Sequence, residues 1–217
     1  PQSVTEIGEG AFDDCISLER IVVEKGNSVF HSAGNCLIET ESKTLVAGCK
    51  NSVIPNDGSV TGIDDYAFAR CTMLKSIAIP KNVTEIGSLA FFGCVSLENI
   101  VVEKGNDVYH SVGDCLIETE SKTLIAGCKN SVIPNDGSVI EIGDNAFNGC
   151  ASLKSIIIPD SITRIGGYAF RGCISIECID IPDSVTCIGD YAFARCTSLK
   201  SITIPDSITE FGEAAFY

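Results

Sequence analysis

The residues of this 217-residue chain with the greatest capacity for chemistry are its twelve cysteines, which could ligate a metal, form disulfides or act as nucleophiles. A zinc site usually shows short Cys-x-x-Cys pairs, and the sequence contains none. Six cysteines instead recur three residues after the phenylalanine of an Ala-Phe dipeptide: Cys15, Cys71, Cys94, Cys150, Cys173 and Cys196. Small, weakly polar thiols fill a core well. We therefore predict a buried column of free thiols, with no metal and no cofactor.

Four more cysteines belong to two copies of one longer segment. Cys49 and Cys128 occupy a position at which other segments have leucine, so they are predicted to be core residues. Cys36 and Cys115 each begin a predicted hairpin. Disulfides Cys36–Cys49 and Cys115–Cys128 are an alternative, although the simplest hairpin pairing does not place the two thiols of a pair opposite each other. The sequence leaves the redox state of these thiols open.

Four further side chains lie outside these patterns. Cys178 replaces a serine on one predicted face of a coil, and Cys187 replaces a glutamate on the other. Both are therefore predicted to be exposed, reactive and too far apart to form a bridge with each other. His31 and His110 occur in identical His-Ser-x-Gly surroundings, which supply no catalytic or metal-ligating partner. Each histidine is predicted to cap a loop.

Acidic residues and glycine motifs give no catalytic site either. Asp160, Asp183 and Asp206 each follow proline and precede serine, an order typical of turns, with calcium bridging of the three carboxylates as the alternative. The Gly-Glu-Gly sequence at 8–10 lacks the third glycine and the strand–helix context of a dinucleotide-binding loop. No Walker loop, His-Glu-x-x-His or Gly-x-Ser-x-Gly motif occurs. We predict a protein without catalytic residues that is not an enzyme.

The elements that position these side chains repeat along the chain. Pro159, Pro182 and Pro205 are 23 residues apart, and a fixed period of about 20 to 50 residues is typical of a solenoid, whose units bury their apolar faces against one another. Residues 199–204 alternate apolar and polar as a half-buried strand, and residues 208–211 do so as a shorter one. The Ala-Phe-x-x-Cys motif fits one helical turn. The predicted fold is a mainly β repeat solenoid with a parallel sheet on one face, and with short strands and single helical turns on the other.

A longer repeat is superimposed on the short one, because residues 1–79 and 80–158 are identical at 57 of 79 positions. Each copy contains an enlarged coil, in which a β-hairpin is predicted to replace the Ala-Phe turn. We expect eight strands in the main sheet, ending near Val23, Ile54, Ile79, Val102, Ile133, Ile158, Ile181 and Ile204. The predicted domain is a single solenoid, 1–217, with short repeats at 1–23, 55–79, 80–102, 134–158, 159–181 and 182–204, a partial repeat at 205–217, and enlarged coils at 24–54 and 103–133.

The repeat consensus Ile-Pro-x-Ser-Val-Thr-x-Ile-Gly-x-x-Ala-Phe-x-x-Cys-x-Ser-Leu, clearest at 181–199, resembles the bacterial BspA-like leucine-rich repeat family. The enlarged coils, with Asn-Cys-Leu-Ile and Ala-Gly-Cys-Lys-Asn-Ser-Val-Ile-Pro, are also similar to segments of that family, so the resemblance covers nearly the whole chain. The resemblance implies a right-handed leucine-rich-repeat solenoid without catalytic residues. It also implies an extracellular or cell-surface protein that binds host or matrix proteins.

Strand alternation identifies the side chains that should face solvent on the main sheet. One set, here called the Ser/Asn column, comprises Arg20, Asn51, Ser76, Asn99, Asn130, Ser155, Cys178 and Ser201. The next set, here called the valine column, comprises Val22, Val53, Ala78, Val101, Val132, Ile157, Asp180 and Thr203. An exposed apolar stripe beside hydrogen-bonding side chains is typical of an interaction surface, although β-branched residues also stabilise neighbouring strands. The predicted binding residues are Val22, Asn51, Val53, Ser76, Ala78, Asn99, Val101, Asn130, Val132, Ser155 and Ile157.

These patterns predict a non-catalytic protein-binding or adhesion module that binds a protein or peptide through the sheet face; the alternative is a structural spacer without a ligand. The net charge of −14 and the pI near 4.4 argue against nucleic acid as a partner. No apolar run approaches the ~18 residues of a membrane span, so membrane insertion is not predicted. The chain shows no signal peptide and begins and ends within a repeat, so we expect a segment of a longer array whose oligomeric state is open.

Overall fold

The computed structural model describes residues 1–8, 10–12 and 14–217. Within these ranges the chain forms strands and turns and no helix. The strands are numbered in chain order: β1 Phe30–Ala33, β2 Cys36–Glu39, β3 Thr44–Ala47, β4 Gly62–Ile63, β5 Ser76–Ile79, β6 Glu85–Ile86, β7 Asn99–Val102, β8 Tyr109–Val112, β9 Cys115–Glu118, β10 Thr123–Ala126, β11 Glu141–Ile142, β12 Arg164–Ile165, β13 Cys178–Asp180, β14 Cys187–Ile188, β15 Ser201–Thr203 and β16 Glu210–Phe211.

Two sheets run along one side of the solenoid, here called the short-strand side. The first has the order β1-β2-β3-β4-β6, and the second has the order β8-β9-β10-β11-β12-β14-β16. Their two-residue strands pair in parallel from one coil to the next, with Ile142 opposite Ile165 and Ile165 opposite Ile188. These isoleucines are fully buried, so each short strand anchors its coil to the core.

The parallel sheet predicted for the other side, here called the long-strand side, is interrupted. Only two ladders form there within the described residues, β5 with β7 and β13 with β15. Segments 20–23, 51–54, 130–133 and 155–158 keep the predicted alternation of exposed and buried side chains without forming strands. The prediction of one eight-stranded sheet is therefore wrong, whereas the predicted repeat solenoid is confirmed.

Each enlarged coil contains three antiparallel strands instead of the predicted two. β1 pairs with β2 and β2 with β3, and β8, β9 and β10 repeat the arrangement. Gly34-Asn35 joins β1 to β2 with φ values of 54° and 59°, as a type I′ turn requires. The Gly34 carbonyl accepts a hydrogen bond from the Val53 N–H at 2.8 Å, and Gly113 accepts one from Val132 at the same distance. The N–H groups of Val53 and Val132 are therefore each bonded to a hairpin tip. These bonds interrupt the sheet of the long-strand side.

The hairpin between β2 and β3 lies on the short-strand side, and its predicted position at the Ala-Phe turn is wrong. β3 pairs in parallel with β4 and thereby extends the ladder of short strands. Where other coils carry phenylalanine, the enlarged coils carry Gly48 and Gly127. A Cβ atom on either glycine would overlap the ring of the next coil, Phe68 or Phe147 respectively. The glycines therefore leave room for these rings.

Phenylalanine rings form the centre of the core. Phe147, Phe170, Phe193 and Phe216 stack with centroid separations of 5.1, 5.3 and 5.4 Å and nearly parallel planes. Phe147 and Phe170 are fully buried. A separate pair, Phe68 and Phe91, stacks at 5.6 Å. These separations give the spacing of successive coils along the solenoid.

The Ala-Phe motifs form hydrogen-bonded turns, and the predicted helical turns are absent from the described residues. The residue before the alanine has positive φ, for example 57° at Tyr66 and 56° at Tyr168, whereas a helical residue has φ near about −63°. The Phe170 N–H donates to the carbonyl of Ala192 in the next coil at 2.7 Å. The turns thus bond from coil to coil, as strands do.

Candidate functional site

The side chains of the predicted binding face are exposed, as strand alternation requires. Exposure holds for all eleven predicted binding residues: Val22, Asn51, Val53, Ser76, Ala78, Asn99, Val101, Asn130, Val132, Ser155 and Ile157. The β5–β7 ladder places Ser76 opposite Asn99 and Ala78 opposite Val101, so both columns run across adjacent coils. Ile77 lies between two exposed residues and is buried.

Five members of the valine column are large apolar side chains that are more than half exposed. Val53, Val101, Val132 and Ile157 are 69%, 51%, 68% and 84% exposed. Single exposed aliphatic side chains are ordinary on protein surfaces, but a contiguous apolar patch is typical of a contact surface. The chemistry of the face is therefore apolar contact along one column and hydrogen bonding along the other.

The type I′ hairpin tips lie within the long-strand side, next to the 51–54 and 130–133 segments, and the sequence prediction missed them. The Asn35 side-chain amide donates to the carbonyl of Asn51 at 3.1 Å. Gly113 and Asp114 occupy the corresponding place beside Val132, with φ values of 58° and 57°. A Gly-Asn or Gly-Asp pair between alternating segments is a sequence signal for such a turn, and this signal was available in both copies.

A row of charged residues forms one border of the same face and was also missed. This lysine edge precedes the Ser/Asn column in each coil and comprises Glu19, Lys50, Lys75, Glu98, Lys129, Lys154, Glu177 and Lys200. Three ion pairs link neighbouring coils along it, Lys50–Glu19 at 2.6 Å, Lys129–Glu98 at 2.8 Å and Lys200–Glu177 at 2.7 Å. In each pair, the lysine hydrogen bond and charge lower the pKa of the glutamate. The recurring order Glu, Lys, Lys at this repeat position was the sequence signal for the edge.

The predicted thiol column forms only in part. Cys94, Cys150 and Cys173 are buried, Cys71 and Cys196 are partly buried, and Cys15 is exposed. The buried thiols bond to the preceding coil, as the Cys94 thiol does to the carbonyl of Phe68 at 3.1 Å. The prediction is wrong for Cys15, whose thiol is exposed.

Among the described residues, the other cysteines form neither a metal site nor a bridge. Cys36, Cys49, Cys115 and Cys128 are free thiols, so the alternative disulfides Cys36–Cys49 and Cys115–Cys128 are not formed. Those four thiols are buried, and burial raises the pKa of Cys36 to about 11 and of Cys115 to about 12. Cys178 is exposed, as predicted, but the same prediction is wrong for Cys187, which is partly buried and accepts a hydrogen bond from Arg164 at 3.5 Å.

We expect iodoacetamide at about pH 8 to alkylate Cys15 and Cys178 at least about 100-fold faster than Cys150 and Cys173 in the folded protein, because the reactive species is an accessible thiolate. Burial raises the pKa of Cys150 to about 12, which leaves almost none of its thiolate at that pH. Peptide mass spectrometry after timed quenching would measure the rates, and a guanidinium-unfolded sample is the control in which all four should react. Rapid alkylation of Cys150 in the folded state would contradict the packed thiol column.

Histidines and carboxylates form no metal-holding group in the part of the chain that the structure describes. His31 lies on β1, with its Nδ1 atom 2.9 Å from the Thr40 hydroxyl, and His110 makes the same contact with Thr119. The prediction that they cap loops is wrong, since both belong to hairpin strands. No group of three or more histidine, cysteine or acidic residues in the described ranges is arranged to hold a metal ion. Glu9 of the Gly-Glu-Gly sequence lies outside those ranges.

No helix among the described residues is long and apolar enough to cross a membrane. The fold and its exposed face define a leucine-rich-repeat solenoid with a bare apolar sheet surface. The family model described as "BspA type Leucine rich repeat region (6 copies)" matches residues 1–112 and 122–217, so the chain belongs to this family. None of the curated proteins searched matches the chain.

Three solved structures illustrate what this chain is similar to. A leucine rich cell surface protein from Faecalibacterium prausnitzii is 28% identical over 92% of this chain and 57% of its own, with a TM-score of 0.57. The pneumococcal vaccine antigen PcpA is 29% identical over 70% of this chain and 38% of its own, with a TM-score of 0.62. A leucine-rich repeat protein from Eubacterium ventriosum, 22% identical over 97% of this chain and 55% of its own with a TM-score of 0.50, supports the fold alone. This chain therefore spans little more than half, or less, of each protein.

Proposed function

We propose that this chain is a non-catalytic protein-binding module of a bacterial surface or secreted protein, and that it binds its partner through the valine and Ser/Asn columns. The observation that carries the proposal is the exposed valine column, in which Val53, Val132 and Ile157 are each more than two-thirds exposed. Burying such side chains against a partner contributes about 25 cal/mol per Å² of apolar area. The Ser and Asn side chains beside them would supply hydrogen bonds that fix the position of the partner.

Membership of a repeat family with a relative described as a cell surface protein supports the proposed location. The charge distribution supports a protein partner over nucleic acid, since the chain carries −14 overall and repels a phosphate backbone. The two columns together contain one acid, Asp180, and one base, Arg20. A face so poor in charge suits the central, desolvated part of a protein interface.

The proposed face can be tested with peptides selected for binding to the intact chain. A phage-displayed library of random peptides of about 12 residues would be long enough, at ~3.3 Å per residue, to cross the eight coils of the face. We expect selected peptides to lose at least about tenfold in affinity, roughly 1.4 kcal/mol, for the double variant Val101→Glu and Val132→Glu. The buried carboxylates would be desolvated without partners.

A matched control separates this face from the rest of the surface. The variant Ile140→Glu and Thr186→Glu makes the same change in charge at two exposed positions on the short-strand side, and it should bind like the parent chain. Circular dichroism would verify that both variants are folded. Selected peptides that bind the Val101/Val132 variant as tightly as the parent chain would refute the proposed face.

A further inference from the structure

The lysine edge makes one border of the proposed binding face basic, in a molecule that is acidic overall. The lysine edge, the Ser/Asn column and the valine column together contain six basic and four acidic residues, a net charge of +2. The remaining nine basic and 25 acidic residues carry −16. The opposite border of the face consists mainly of prolines together with Glu24 and Glu103. Positive charge is therefore concentrated along a single border of the face.

Two lysines of this edge are available to a partner. Lys50, Lys129 and Lys200 are each paired with a glutamate, whereas Lys75 and Lys154 are exposed and make no ion pair within the described residues. The Glu98 N–H donates to the Lys75 carbonyl at 2.8 Å, so the two residues lie side by side on adjacent coils. Lys75 and Lys154 occupy the same repeat position three coils apart, or about 15 Å at the strand spacing of a sheet.

We propose that the partner of this face is an acidic polypeptide segment, whose apolar side chains pack on the valine column and whose carboxylates pair with Lys75 and Lys154. This inference rests on the proposed function and specifies the partner's chemistry. Complementary charge steers association and selects among partners more than it adds affinity. The acidic remainder of the chain repels the same carboxylates, so an acidic partner is directed to the lysine edge, where its charge is matched.

A sulfated or phosphorylated polymer fits these observations less well. It would use the lysines, but it would leave the exposed valine column without an apolar partner. A peptide that alternates valine and glutamate offers apolar side chains to the valine column and carboxylates to the lysine edge. Binding of heparin as tight as that of such a peptide would overturn the proposal.

The probes are three fluorescein-labelled peptides of about 12 residues, sufficient at ~3.3 Å per residue to cross the face: valine alternating with glutamate, valine alternating with lysine, and glutamate alone. Fluorescence anisotropy with the intact chain would measure their affinities. We expect the Val-Glu peptide to bind at least about tenfold more tightly than the other two, and to weaken between about 50 mM and about 500 mM NaCl because salt screens exposed charges. Absence of Val-Glu binding, or equal binding of the Val-Lys peptide, would overturn the proposal.

The second part of the experiment reverses the charge of lysine side chains on the protein. Lys75→Glu with Lys154→Glu should weaken Val-Glu binding by at least about tenfold, whereas Lys43→Glu with Lys122→Glu, the same charge change in the hairpin turns of the short-strand side, should leave it within about twofold. Two different failures are distinguishable. If Val101→Glu with Val132→Glu leaves binding intact, the proposed face is wrong; if that variant loses binding while the Lys75/Lys154 variant retains it, only the acidic character of the partner is wrong.

Discussion

Replacing Gly113 with alanine should destabilise the fold by about 3 kcal/mol, because two costs combine at one residue. Gly113 has a φ of 58°, a conformation that residues with a Cβ atom adopt at a cost of about 1–2 kcal/mol. A Cβ atom there would also overlap the carbonyl oxygen of Val132, which is backbone and cannot rotate away. Relief of this overlap would strain the hydrogen bond from the Val132 N–H to Gly113. Urea unfolding followed by circular dichroism measures the loss.

A control glycine separates the two costs. Gly105 has a φ of 88°, and nothing lies within 4 Å of the position that its Cβ atom would take. Gly105→Ala should therefore cost only the backbone term, about 1 kcal/mol. Equal losses for Gly113→Ala and Gly105→Ala would show that the hairpin tip does not pack against the Val132 segment as described.

The coil repeat and its inward and outward positions could be predicted because they depend on periodicity. A 23-residue period and two-residue alternation fix which side chains share a column, whatever the local hydrogen bonding is. Val53 and Ile157 are exposed as predicted, although neither lies in an assigned strand. Exposure at these positions needs only the extended, alternating backbone, which survives where the ladder is broken.

The backbone geometry of the turns could not be predicted from the periodicity. The Ala-Phe-x-x-Cys spacing suits one helical turn, but Tyr168 has a φ of 56°. Its turn bonds within itself, through the Arg171 N–H and the Tyr168 carbonyl, and also to the next coil, through the Tyr168 N–H and the Asp190 carbonyl. Tyrosine gives no sequence signal for a left-handed conformation, which is favoured by glycine, asparagine and aspartate. The stack imposes this conformation on the turn, since coil-to-coil hydrogen bonds require the backbone to face along the solenoid axis.

The candidate site was predictable in its composition but not in its borders. The valine and Ser/Asn columns follow from alternation alone. The lysine edge stands at the beginning of each strand, where alternation would assign its residues to the interior, and only the long aliphatic stems of lysine and glutamate allow the charged groups to reach solvent. Lys50 is only partly exposed, and Lys75 is exposed.

Replacing Phe170 with alanine should have the largest effect on stability of the substitutions considered, about 4 kcal/mol, because it removes a fully buried aromatic ring and leaves a cavity. The Phe170 ring stacks on Phe147 at 5.1 Å and on Phe193 at 5.3 Å, so its loss interrupts the column on both sides. In a chain of this size the midpoint of thermal unfolding should fall by roughly 12 °C. Differential scanning calorimetry and urea unfolding measure the two quantities.

The end of the same column supplies the matched control for this prediction. Phe216 stacks on Phe193 at 5.4 Å and contacts the tilted ring of Phe211 at 5.7 Å, but it is 40% exposed. Phe216→Ala should cost less than about 2 kcal/mol, because less apolar area leaves water when that residue folds. In a solenoid each coil contacts only its neighbours, so a ring between two coils stabilises two interfaces and a ring at the end stabilises one. Equal losses for the two variants would mean that the column is not the continuous core on which the sheet face depends.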